Sequence, residues 1–393
     1  MRLHVEATHP VSTLRVLVAP DSFKGSLTSV QVARALADGW SRARPGDSVG
    51  LAPLADGGEG TLDAISAAGG WITLPALARD PLMRPLDGRF LRQDLRAVVE
   101  LATASGLSRV SPEEHDGIAA STFGTGQILA AAIGLGCRDI VLGLGGSATT
   151  DGGSGLLVAL GARLFDAGGA DLAMGGGALG RLARLDLEGL SPILGEVHLT
   201  IASDVSNPLL GEFGAAAIYG PQKGLRPDDV SRLNGYLASY ADLLEIATGL
   251  DVRDVPGAGA AGGTGAALLA IAGRFASFTI RPGIDVVMDL TDFDARLAAS
   301  DLALSGEGRI DAQTAFGKTC QGVANRAAAA GVRCVCFGGA VTVEGEAVLR
   351  DAGAVSFPVI EGPTTIEAAM DAGSAPLERA AERVARFWSM AGG

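Results

Sequence analysis

Apolar and polar positions follow two alternating periods along this chain. Leu14–Ala19 reads LRVLVA, an apolar run of strand length, and Ser29–Arg42 then sets Val32, Ala35, Leu36 and Trp40 at helical spacing. The succession continues. Asp63–Ala68 is expected to be helical after a glycine loop, while Ile72–Leu77, Phe90–Leu91 and Ala97–Leu101 read as strand pieces. Gln127–Leu135 reads as a helix stopped by Gly136, Asp139–Leu144 as a buried strand, and Gly155–Leu164 as another helix. Val197–Ser203 alternates as a strand, and Val230–Thr248 aligns Leu233, Leu237, Tyr240, Leu243 and Leu244 on one helical face. Leu302–Ser305, Cys320–Ala330, Arg333–Phe337 and Leu377–Met390 complete the series as strand, helix, strand and amphipathic helix. Such alternation predicts an α/β fold with mostly parallel sheet. A length of 393 residues suits two or three domains, and no internal repeat or Ser/Pro-rich linker divides them.

Composition narrows the function classes. The net charge is −13, no basic tract occurs, and there are only three tyrosines and three tryptophans, which argues against nucleic acid as a partner. The start, MRLHVEATHPVSTLR, lacks the apolar core of a signal peptide, and Leu14–Pro20 is too short to span a bilayer. Four cysteines (Cys137, Cys320, Cys334 and Cys336) are too few to staple a chain of this length, and none form a Cys-x-x-Cys pair. The four histidines are scattered, so no zinc constellation emerges. A soluble, cytoplasmic protein without a membrane partner is expected.

Glycine is the outlier, 57 of 393 residues, about twice the usual ~7%. It gathers in loops between the elements: Lys24-Gly25-Ser26, Asp56 to Gly60, Gly145 to Gly153, Gly257 to Gly265, and Gly306-Glu307-Gly308. Turns of this kind can aim backbone N–H groups into one concavity and hold an anion, and five together favour a phosphorylated ligand. Lysine usage agrees. Only Lys24, Lys223 and Lys318 occur among 31 basic residues, and each neighbours a glycine, an arrangement suited to phosphate oxygens.

Two motifs are decoys. Gly257 to Gly262 matches G-x-G-x-x-G, but the segment before it, Asp251 to Pro256, is turn-like where a dinucleotide site needs a strand. Ala312 to Thr319 resembles a P-loop without its first glycine, set too far from its strand, yet its Gly-Lys-Thr at a helix start can still hold phosphate. Carboxylates able to do chemistry stand in the loops: Asp21, Asp56, Glu59, Asp151, Asp204, Asp285, Glu307 and Asp311. Phosphoryl transfer needs a phosphate cradle, Mg²⁺ and a carboxylate facing the attacking hydroxyl. Asp204 follows an apolar strand directly, where α/β ligands usually bind.

The motifs Pro20-Asp21-Ser22-Phe23-Lys24-Gly25-Ser26-Leu27, Ala55 to Thr61, Gly145 to Gly153, Gly220-Pro221-Gln222-Lys223-Gly224 and Gly306 to Asp311 occur in this order. With them the chain resembles the bacterial type I glycerate kinases from about Leu14 to Trp388. The resemblance implies a Rossmann-like parallel-sheet domain, residues 1–78 and 285–393, interrupted by an inserted α/β domain, residues 79–284, with the active site in the cleft between them. It implies transfer of the ATP γ-phosphoryl group to the 2-hydroxyl of D-glycerate, with ATP and Mg²⁺ as cofactors, and is compatible with a homodimer. Another small hydroxy acid, the 3-hydroxyl of glycerate, or a non-catalytic sensor of the same fold are the alternatives. Asp204, Lys24, Asp56 and Lys318 are the expected catalytic residues. Ser22, Glu59, Arg309, Arg281 and Asp311 are expected at the substrate. Gly145, Gly146, Ser147, Asp151, Gly152, Lys223 and Gly317 are expected at the nucleotide, and Asp204 and Asp151 at the metal. Departures are local: Cys320 replaces a common proline, Thr150 a common asparagine, and Ser206 stands where an acidic residue is frequent.

Overall fold

The structure, a computed structural model, describes residues 12–312, 314 and 319–391. Gly317, Lys318, His4 and His9 lie outside the described residues. The chain divides into two compact units, one drawn from residues 1–55, 63–69 and 287–393, the other from 56–62 and 70–286.

The first unit is built on a five-stranded, wholly parallel sheet in the order Ala354–Pro358, Arg333–Val341, Leu302–Ile310, Arg15–Val18 and Ser48–Leu51. A parallel sheet needs both faces covered, and the apolar stripes read from the sequence supply the cover. Thr28 caps the Ser29–Ala43 helix reciprocally with Gln31, and the helix buries Val32, Leu36 and Trp40. The C-terminal helix, Ala375–Ala391, packs beside it, with Trp388 edge-on to Trp40 at 6.2 Å. The indole N–H of Trp40 donates to Asp47, which also pairs with Arg44, closing this corner.

The second unit carries a six-stranded mixed sheet. Ser277–Arg281, His198–Ala202, Asp139–Gly143 and Arg96–Glu100 run parallel, and Pro85–Gln93 and Ile72–Arg79 extend them antiparallel. Its core includes Phe90, Val99, Leu142, Ile201, Leu237 and Tyr240. The Phe123–Gly134 helix and the long Pro227–Thr248 helix lie where the periodicity predicts them.

Three local expectations are corrected. The helix expected over Gly155–Leu164 ends at Ala159; Gly161 adopts φ 111°, and Leu164 belongs to a separate hairpin of Arg163–Asp166 with Leu182–Asp186. Gly306-Glu307-Gly308 is not a loop but strand, because Leu302–Ile310 pairs throughout with Arg333–Val341, where glycines on both strands let the backbones run close. Asp285 sits in the first turn of the Gly283–Leu290 helix, not in a loop. No described helix is long and apolar enough to cross a membrane.

Candidate active site

In each unit the chemistry-bearing loops leave the C-terminal ends of parallel strands, the side of an α/β sheet where ligands bind. In the first unit, the Arg15–Val18 strand runs into Asp21 and Lys24. The Asp21 N–H donates to the Gly306 carbonyl at 2.8 Å, so this loop is stitched to the neighbouring strand. The Asp21 carboxylate accepts the Ser22 N–H at 2.6 Å and the Thr319 hydroxyl at 2.8 Å. Phe23 and Leu27 pair across a tight loop that leaves Lys24 exposed at its tip. On the adjacent strand, buried Glu307 accepts the Thr314 hydroxyl at 2.9 Å, and exposed Arg309 pairs with Asp311 at 3.0 Å. Lys24, Ser22, Arg309 and Asp311 are thus brought to the same end of one sheet.

In the second unit, Asp56 and Asp204 converge on one glycine. The Gly283 N–H donates to the Asp204 carboxylate at 3.0 Å, while a Cβ on Gly283 would lie 1.9 Å from the Asp56 carbonyl oxygen. Only glycine permits that approach. The Asp56 carboxylate accepts the Gly58 N–H at 3.0 Å, and the Gly57 carbonyl accepts the Gly145 N–H at 3.1 Å. Arg281 closes this edge, its carbonyl accepting the Ser203 N–H at 3.0 Å. Asp56, Glu59, Gly146 and Asp204 are exposed at these strand ends, and the Asp56 and Asp204 carboxylates offer oxygens of the kind a hard divalent cation takes.

Asp151 and Lys223 face inward. The Asp151 carboxylate is fully buried and accepts the N–H groups of Thr122, Gly153 and Gly155 and the hydroxyls of Ser121 and Thr122. Burial pushes it above the usual carboxylate range, and those hydrogen bonds pull it back only in part. With both oxygens committed to the interior, Asp151 does not suit a metal ion; it ties the Gly152–Ser154 turn to the start of the Phe123–Gly134 helix. Gly152 packs against the buried Tyr240 ring. Lys223 is 1% exposed, and its ammonium donates to the Ser147 hydroxyl at 2.8 Å and the Thr149 carbonyl at 2.7 Å. Among the described residues, no group of three or more His, Cys, Asp or Glu side chains could hold a metal ion. The turn-like reading of residues 251–256 agrees with the structure, so the glycines of 257–262 follow no strand and form no dinucleotide fingerprint.

Sequence reasoning missed Gly283, Thr314, Thr319 and Glu100. Glu100 is buried and accepts the Leu62 N–H at 3.0 Å, fixing the end of the Asp56 loop. Pro282-Gly283 was a legible turn signal, and Thr314 lies close in sequence to Glu307; the partners of Thr319 and Glu100 come from far along the chain.

An α/β protein with carboxylates, glycine turns and an exposed lysine at its strand ends is the class these features define. The chain belongs to the glycerate kinase family, which it matches over residues 16–389. It is 40% identical to a glycerate kinase of Halalkalibacterium halodurans, over 94% of this chain and 97% of that one. It is likewise 40% identical to glycerate 2-kinase of Escherichia coli K12, over 79% and 81%. A crystal structure from Salmonella typhimurium LT2 with the provisional name glycerate kinase 2 superposes with a TM-score of 0.82 at 39% identity, covering 97% of this chain and 99% of that one.

Proposed function

We propose that the protein transfers the γ-phosphoryl group of ATP to the 2-hydroxyl of D-glycerate, forming 2-phospho-D-glycerate and ADP. The observation that carries this reading is that Gly283 holds the Asp204 carboxylate through its N–H while abutting the Asp56 backbone carbonyl, in a member of the glycerate kinase family. Asp204 orients the attacking hydroxyl and takes its proton. Lys24 and Lys318 neutralise phosphate oxygens, with Gly146 and Gly317 supplying backbone N–H groups. Arg281, at the same strand end as Asp204, clamps the substrate carboxylate through its guanidinium fork. Ser22, Glu59, Arg309 and Asp311 are the further residues assigned to substrate binding. Asp204 and Asp56 would hold Mg²⁺, whose chemistry is to spread the charge developing on the phosphate oxygens. A cytoplasmic location accompanies the use of ATP.

The test is incubation with ATP, Mg²⁺ and D-glycerate, followed by phosphorus NMR of the product. The 2-phospho isomer and stoichiometric ADP are expected. The 3-phospho isomer would overturn the regiochemistry, turnover of a different hydroxy acid alone would overturn the substrate, and no ATP consumption with any of them would indicate a sensor.

A further inference from the structure

We propose that Lys223 is a positioning residue, which from the protein interior holds the Gly145–Thr149 turn in the shape that seats the Asp56 loop. The inference rests on the reading above, in which Asp56 belongs to the reacting machinery. The chain of contacts is continuous. The Lys223 ammonium donates to the Ser147 hydroxyl and the Thr149 carbonyl, gripping the turn at two points. The other end of that turn, Gly145, donates its N–H to the Gly57 carbonyl and packs so closely that a Cβ on it would lie 2.4 Å from the Gly58 α-carbon. Gly58 in turn donates its N–H to the Asp56 carboxylate.

A direct contact between Lys223 and phosphate would require an exposed ammonium, and this one is 1% exposed. Burial is costly for a cation unless its donors are used, and here they satisfy two oxygens that no strand ladder serves. Burial also pulls the Lys223 amine down to about 7, against the opposing pull of the buried Asp151 charge. Ammonium and neutral amine both carry at least two N–H bonds, enough for the Ser147 and Thr149 oxygens, so the tether survives either protonation state.

Lys223→Met keeps the stem and removes the donors, whereas Lys223→Gln restores two donors on a shorter side chain. Lys223→Met is expected to lower kcat/KM for glycerate about a hundredfold, the scale of a misplacement of about 1 Å, with Lys223→Gln recovering at least about tenfold of that. Ser147→Ala should add little to Lys223→Met, since both cut the same tether. A lower melting temperature with unchanged kcat and KM per folded molecule would overturn the proposal. So would a rise confined to the KM for ATP with no recovery in Lys223→Gln, the mark of a direct ligand. If Lys223→Met does not fold, Ser147→Ala alone decides, and unchanged kinetics overturn the idea. If the wild type turns over no glycerate, the kinase reading falls, and amide exchange tests the tether independently. Faster exchange at residues 58 and 145–149 in Lys223→Met or Ser147→Ala supports it, and unchanged exchange rejects it.

Discussion

Gly283 and Asp204, 79 residues apart in the chain, are joined by one hydrogen bond in which the glycine N–H donates to the carboxylate at 3.0 Å. The same glycine abuts the Asp56 backbone carbonyl, so a single residue without a side chain holds the Asp204 carboxylate and seats the Asp56 loop, which the sequence separates widely. Gly283→Ala should therefore push the Asp56 loop off its seat. We expect kcat/KM for glycerate to drop at least about a hundredfold, together with a lower melting temperature by calorimetry. Retention of full activity would show that the loop position is not needed.

Asp204→Asn keeps the shape of the side chain and removes its basicity. A loss in kcat of about 10²- to 10⁴-fold is expected, with a modest change in glycerate KM, read by steady-state kinetics. An effect confined to KM would make Asp204 a binding residue instead.

Lys24 is exposed at the tip of a loop closed by the Phe23–Leu27 pairing. Lys24→Ala should thus reduce turnover at least about a hundredfold, the scale for losing one preorganised charge-stabilising donor, with circular dichroism and melting temperature unchanged. Unaltered turnover would remove Lys24 from the phosphate-binding role.

Asp47 tests the frame of the first unit. Burial alone would raise its carboxyl, but hydrogen bonds from Arg44, Leu14 and Trp40 outweigh it and hold the group below the usual carboxylate range. A depressed folded-state value contributes stability above the unfolded pKa of about 4, lost as the pH falls through the folded one. Asp47→Asn should accordingly cost about 3 kcal/mol at neutral pH, since it leaves the buried Arg44 without its charge partner. In urea titrations the gap to the wild type should narrow below about pH 4. A pH-independent gap would contradict the charge account.

The α/β alternation was legible from Leu14 onward because helix and strand periods are local properties: Val32, Leu36 and Trp40 announce their helix without reference to anything distant. The ordered motifs around Lys24, Asp56, Gly145 and Asp311 were equally visible, and they carried the family. What the sequence could not reveal is which way a loop residue faces. Lys24 and Lys223 both sit beside glycines, yet one is exposed and the other buried among Ser147 and Thr149. Gly306-Glu307-Gly308 looked like a turn until Arg333–Val341 supplied its hydrogen-bonding partner. Local pattern determines which element a segment tends to form. Burial, pairing and the seating of Asp204 and the Asp56 loop at Gly283 were decided by tertiary structure alone, because their energies come from groups dozens to hundreds of residues away.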